Sequence, residues 1–126
     1  MISIKKRFEF HSAHHLPYHT GLCKNLHGHM YMLDVEIAGP IQSEGPATGM
    51  IMDFGSLKKI IQEVVIDKCD HRLLNEVWEN PTAENMIENI AYLIGWALPI
   101  GNRLLSVTLW ETPTSCAIWR PSHENQ

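Results

Sequence analysis

The chain predicts an α+β fold: a four-stranded antiparallel sheet with two helices on one face, in the order β-β-α-α-β-β. Three patterns carry this expectation. Both ends of the chain alternate apolar and polar residues with a period of two, as half-buried strands do. The middle carries two apolar stripes at helical spacing, each behind a good N-cap. Strands that flank a helical middle leave one sheet face for both helices to cover.

From Ile2 to Ala13 the even positions Ile4, Phe8, Phe10 and Ser12 alternate with Lys5, Arg7 and Glu9, and His14 keeps the even parity. Pro17 and His19-Thr20-Gly21 break this first strand. From His27 to Ile37 the odd positions are His27, His29, Tyr31, Leu33, Val35 and Ile37, so two histidines open the apolar face of a second strand. Ala38 to Gly49 holds three Gly and two Pro, which marks a long turn. Asp53 caps a helix whose stripe is Leu57, Ile60, Ile61, Val64 and Val65. A loop from Cys69-Asp70-His71-Arg72 to Asn80-Pro81 follows. Thr82 caps a second helix with Met86, Ile87, Ile90, Ile94 and Ala97 buried, and Pro99 ends it. Leu105, Val107 and Leu109 form a third strand and place Glu111 on the same side, while Cys116 to Arg120 reads as a short last strand. The expected organisation is one domain over 1–120 and a polar tail over 121–126.

Composition narrows the function classes. At 126 residues the length suits one domain that buries its own core. A net charge of −4 argues against a nucleic-acid or anionic-membrane surface. No apolar stretch is long enough to span a membrane, and no leader opens the chain. Cys23, Cys69 and Cys116 are odd in number and far apart, the pattern of reduced thiols in a cytoplasmic protein.

Of the eight histidines, His11, His14, His15, His19, His27 and His29 fall in one short stretch, so a metal site is the first functional expectation. His27-Gly28-His29 on a strand points two imidazoles to one side, and a glycine between them suits a crowded approach. With His14 they offer three nitrogen donors, and three protein ligands with an open position describe catalytic zinc. His11, His15 and His19 are alternatives to His14, and parity favours His14 over His11 and His15. Cys23, four residues before His27, is either a buried thiol, a fourth ligand of a structural site, or a reactive thiolate beside positive charge. Asp34 has the wrong parity for a carboxylate ligand. Asp70-His71 is a solvated pair or a proton relay, in which the carboxylate raises the histidine's basicity. Glu111 is a solvated strand end or an acceptor of two parallel N–H bonds from a flat heterocycle. Thr82 is a helix cap by default and a candidate for a minor ligand role.

With these residues placed, the chain resembles the 6-pyruvoyl-tetrahydropterin synthase family, most closely its 6-carboxytetrahydropterin synthase branch. The resemblance runs from about Phe8 to Trp119. It rests on Phe8-Glu9-Phe10-His11-Ser12-Ala13-His14-His15-Leu16, on Cys23-x-x-x-His27-Gly28-His29, and on Met52-Asp53-Phe54. Asp70-His71-Arg72-x-Leu74-Asn75, Asn80-Pro81-Thr82-Ala83-Glu84-Asn85 and Trp110-Glu111-Thr112 complete it. Two positions depart from the family pattern: Ser12-Ala13 stands for two alanines, a small-for-small change, and Trp119 for a tyrosine.

The resemblance implies a tunnelling fold in which trimers close a barrel and stack into a homohexamer, with active sites between subunits. It implies zinc on His14, His27 and His29, catalysis by Cys23, Asp70 and His71, and substrate binding by Glu111 with Thr82 nearby. The implied substrate is 7,8-dihydroneopterin triphosphate, whose side-chain hydroxyls zinc would polarise as a Lewis acid while Cys23 removes a carbon-bound proton. Lys24, Lys68 and Arg72 are candidates for the triphosphate. In the carboxy branch acetaldehyde leaves and the product feeds 7-deazaguanine (queuosine) synthesis; in the pyruvoyl branch the side chain survives for tetrahydrobiopterin. A non-catalytic zinc- or pterin-binding module is the reading from another class.

Overall fold

The structure, a computed structural model, describes residues 1–122 and is a mixed α+β arrangement. Strands β1 (Ser3–His14) and β2 (His27–Ala38) lead into helix α1 (Phe54–Ile61), which widens into a π-helical turn at Gln62–Ile66 and closes with Asp67–Cys69. A two-residue strand β3 (Arg72–Leu73), helix α2 (Ala83–Ala97), β4 (Arg103–Thr112) and β5 (Ser115–Trp119) complete it. Among the described residues no helix is long and apolar enough to cross a membrane. The expected tail over 121–126 reaches Pro121 and Ser122, which follow β5 without regular structure; residues 123–126 lie outside the described residues.

The sheet has five strands rather than the expected four, in the order β3-β1-β2-β4-β5. The long strands pair antiparallel, but β3 runs parallel to β1, pairing Ser12 with Arg72 and Ala13 with Leu73. Two residues between a helix and a turn carry no periodicity, which is why this strand is invisible in the sequence. The even residues of β1 and odd residues of β2 form the buried face, with Phe10, Tyr31, Leu33, Val35 and Ile37 fully covered. Leu57, Ile61 and Val65 from the first helical segment and Met86, Ile90 and Ile94 from α2 join the same core. Asp53 and Thr82 cap the helices as expected, accepting from the N–H groups of Gly55 and Asn85.

Strand β4 corrects a second expectation. Its pairing with β2 slips between Glu36 and Ile37, where Ser106 faces Glu36 and Leu104 faces Ile37. The extra residue is Leu105, so Leu104 takes the core position and Leu105 is only half-buried. Beyond the bulge the odd parity holds, with Val107 and Leu109 buried. A further slip in the β4–β5 pairing, between Trp110 and Thr112, falls at Glu111. Bulges re-aim side chains, and this one sits where β4 reaches the histidines.

Candidate metal centre

The register of β1 on β2 builds the site. His14 pairs directly with His27, and Ser12 with His29, so three imidazoles gather where the two strands join their connecting loop. All three lie on the helix-covered face, as their parities require. The ring centroids are 4.6, 5.1 and 4.8 Å apart and the rings meet edge to face. Tyr31 forms the floor: it is fully buried, stacks on Phe10 at 4.9 Å and meets the ring of His29 at 5.6 Å. Burial pushes the Tyr31 phenol above its ordinary range, so it stays protonated.

Hydrogen bonds behind the rings decide what the cluster can bind. His14 Nδ1 lies 2.9 Å from the carbonyl oxygen of Pro81, and His27 Nδ1 lies 2.7 Å from that of Asn25. A carbonyl oxygen only accepts, so both Nδ1 atoms donate and, in neutral rings, both Nε2 atoms carry bare lone pairs. Those two Nε2 atoms face one another at 3.0 Å. Two lone pairs at that distance repel unless a proton or a metal ion lies between them. His29 Nε2 is buried and forms no hydrogen bond, although Glu111 Oε1 is 3.0 Å away. The same carboxylate oxygen is 3.5 Å from His14 Nε2.

His14, His27, His29 and Glu111 therefore present one donor atom each, all within 4.8 Å of one another. Ligands of a tetrahedral zinc, at about 2.0–2.1 Å from the ion, stand roughly 3.3 Å apart. The cluster fits a divalent ion, and its carbonyl-anchored imidazoles are the outer support that histidine ligands usually have. Electrostatics agree. Burial, the largest influence, holds His29 below the usual histidine range and favours its neutral, ligating form. The neighbouring His14 ring is the main influence holding the Glu111 carboxyl below its usual range despite burial, so the carboxylate stays ionised. Glu111 also lines a cavity of about 590 Å³, with Ala83, Glu84, Ile87, Cys116 and Trp119 among its walls.

The other expected site residues lie around this centre rather than in it. Cys23 sits half-buried in a 3-10 turn (Leu22–Lys24), is free, and is not one of the clustered donors; the fourth donor is Glu111. Asp70 Oδ2 and His71 Nδ1 lie 3.0 Å apart. They dock on the edge of β1, where Asp70 Oδ1 accepts from the His11 N–H at 2.9 Å and the His71 N–H donates to the His11 carbonyl at 2.6 Å. The His11 N–H, then His71 itself, holds the Asp70 carboxyl below its usual range. His71 has φ of 57°, the left-handed region, and its side chain is 79% exposed, clear of the histidine cluster. Thr82 Oγ1 accepts from the Asn85 N–H at 3.1 Å. Sequence reasoning missed the carbonyls of Pro81 and Asn25, because a backbone acceptor has no sequence signature. Ser12, read there only as a small-for-small change, donates its hydroxyl to the Cys69 carbonyl.

A helix-backed α+β sheet whose end gathers three histidines and a carboxylate beside a cavity defines a small fold with a cluster able to hold a metal ion. The chain belongs to the 6-pyruvoyl tetrahydropterin synthase family, whose sequence profile matches residues 3–122. It is 35% identical to the 6-carboxy-5,6,7,8-tetrahydropterin synthase of Haemophilus influenzae, over 91% of this chain and 96% of that one. It is 39% identical to the protein of the same name from Synechocystis, over 90% and 89%. The structure of 6-pyruvoyl tetrahydropterin synthase from Caenorhabditis elegans superimposes with a TM-score of 0.83 at 27% identity, covering 96% of each chain.

Metal binding should compete with protons. Affinity for zinc, read against a chromophoric chelator, is expected to hold near neutrality and to fall as pH drops below the usual histidine range, because burial holds His29 below that range and its proton then displaces the metal. His27→Ala should weaken it by more than the roughly 10–100-fold that a supporting hydrogen bond is worth. Affinity independent of pH, or unchanged in His27→Ala, would contradict this ligand set.

Proposed function

We propose that this chain is a zinc-dependent lyase that converts 7,8-dihydroneopterin triphosphate and water to 6-carboxy-5,6,7,8-tetrahydropterin, triphosphate and acetaldehyde. The observation that carries the reading is Glu111, which reaches the histidines on one side and a cavity on the other. A molecule seated in that cavity is thereby placed beside the metal centre. The names of the Haemophilus and Synechocystis relatives support the carboxy product.

His14, His27 and His29 would hold the zinc, which supplies Lewis-acid polarisation of substrate oxygens. Cys23 takes the carbon-bound proton of the substrate side chain. Its turn is tied to the end of β1 by the Leu16 N–H, which donates to the Cys23 carbonyl at 2.8 Å. Asp70 holds the His71 Nδ1–H and leaves Nε2 to exchange protons with the side chain. Because that pair stands apart from the cluster of its own chain, we assign it to the centre of a neighbouring subunit in a homohexamer of stacked trimers. Glu111 accepts two parallel N–H bonds from the pterin ring. Thr82 uses one hydroxyl lone pair for the helix cap and keeps its hydroxyl proton to donate.

A second reading, the pyruvoyl product, is favoured by the likeness to the nematode synthase. Incubating the zinc-loaded protein with dihydroneopterin triphosphate separates the two. Acetaldehyde should appear in step with triphosphate, and Cys23→Ala should slow the release of both by about 10²–10⁴-fold, the usual worth of a general base. A pyruvoyl product without acetaldehyde would establish the second reading, and zinc binding without turnover would leave a non-catalytic module.

Glu111→Gln provides a separate check. It keeps the shape of the carboxylate but sets a donor against a ring donor. Charge-assisted bonds are worth roughly 1.5–3 kcal/mol each, so pterin affinity should fall by about two orders of magnitude. An unaltered dissociation constant in a pterin titration would make Glu111 a metal-side residue only.

A further inference from the structure

We propose that Asn75 is a positioning residue that ties the Asp70–His71 loop to the metal ligand His14 and to the turn carrying Cys23; this rests on the metal reading given above. The parallel pairing of β1 with β3 stops after Ser12–Arg72 and Ala13–Leu73, because the chain turns into a 3-10 segment at Leu74–Glu76. The ladder nevertheless continues past His14. The His15 N–H donates to Asn75 Oδ1 at 2.9 Å, and Asn75 Nδ2 donates to the His15 carbonyl at 2.8 Å. A carboxamide carries the same donor and acceptor as a peptide group, so the Asn75 side chain replaces the strand partner that the turned backbone no longer supplies.

Its location gives this clamp a role beyond stability. Three consecutive residues at the end of β1 each hold a different part of the site. His14 enters the donor cluster, His15 is gripped by Asn75, and Leu16 donates to the Cys23 carbonyl at 2.8 Å. On the other side of His14, residues 69–71 are stitched to β1 by Ser12 Oγ on the Cys69 carbonyl, by the His11 N–H on Asp70, and by the His71 N–H on the His11 carbonyl. Asn75 supplies the stitch beyond the ligand. Without it the backbone after His14 is free to relax, which alters the aim of the His14 ring from Pro81 toward its partners and loosens the turn of Cys23. A carboxylate at this position would keep the acceptor for the His15 N–H but face the His15 carbonyl with a second acceptor.

The test compares the full-length wild type with Asn75→Ala, Asn75→Asp and His14→Ala. The readouts are zinc affinity by chelator competition, the alkylation rate of Cys23 by mass spectrometry, far-UV circular dichroism and the thermal midpoint. Asn75→Ala and Asn75→Asp should each lose about 10–100-fold in zinc affinity, the range known for groups that orient metal ligands, and change the Cys23 alkylation rate several-fold with the dichroism unchanged. Should Asn75→Ala fail to fold, the near-isosteric Asn75→Asp carries the same expectation. A lower midpoint with zinc affinity and Cys23 reactivity at wild-type values would reduce Asn75 to a structural residue and overturn the proposal. If His14→Ala binds zinc like wild type, the metal reading fails; if it loses zinc while Asn75→Asp keeps it, only the clamp fails.

Discussion

The register of β1 against β2 is the constraint on which the rest of the structure depends. It runs unbroken from Ser3–Ala38 to His14–His27. Side chains alternate across a sheet, so a slip of one residue would turn the whole apolar set of one strand to the opposite face. Phe8 and Phe10 are held against Leu33 and Tyr31 by burial, which fixes the face each strand presents, and the Arg7–Asp34 ion pair joins directly paired residues on the other face. The same register then carries His14, His27 and His29 into one place with no further choice to make. Core and site are thus one ladder: the stack of Phe10 on Tyr31 is at once the last layer of the core and the floor of the histidine cluster.

What burial imposes there is a demand for positive charge. His14 is fully buried and meets its Nδ1 requirement at Pro81, in the residues that lead into α2. Its other nitrogen faces another imidazole nitrogen, and His29 adds a buried nitrogen with no hydrogen bond. An unpaired buried polar atom costs free energy, and several of them aimed at one point are tolerated when a cation joins them. Glu111 adds an ionised carboxylate beside the three imidazoles. The helices contribute twice, by covering the apolar face and by placing the Pro81 carbonyl behind the first ligand.

Much of this was legible in the sequence, and the boundary between legible and hidden is physical. Period-two alternation marked β1 and β2 and set the parity of all three histidines. The stripes of α1 and α2 and their caps at Asp53 and Thr82 read directly. Local periodicity cannot show non-local pairing. The parallel contact of Arg72–Leu73 with β1, the bulge that exchanges Leu105 for Leu104, and the meeting of Glu111 with His29 all depend on residues far apart in the chain. Glu111 was the intermediate case. Its side of the strand was visible from parity, whereas its reach to the histidines required the order of β1, β2 and β4. The grip of Asn75 on His15, across 60 residues, left no sequence signal beyond its place in the Asp70–Asn75 motif.

The most direct measurement is X-ray absorption spectroscopy at the zinc edge on protein loaded with one equivalent of metal. Zinc on His14, His27 and His29 should give only nitrogen and oxygen scatterers at about 2.0–2.1 Å, with the outer-shell pattern of imidazole rings. A sulfur scatterer at about 2.3 Å would put Cys23 on the metal and contradict a centre built from the β1–β2 register and completed by Glu111 or solvent.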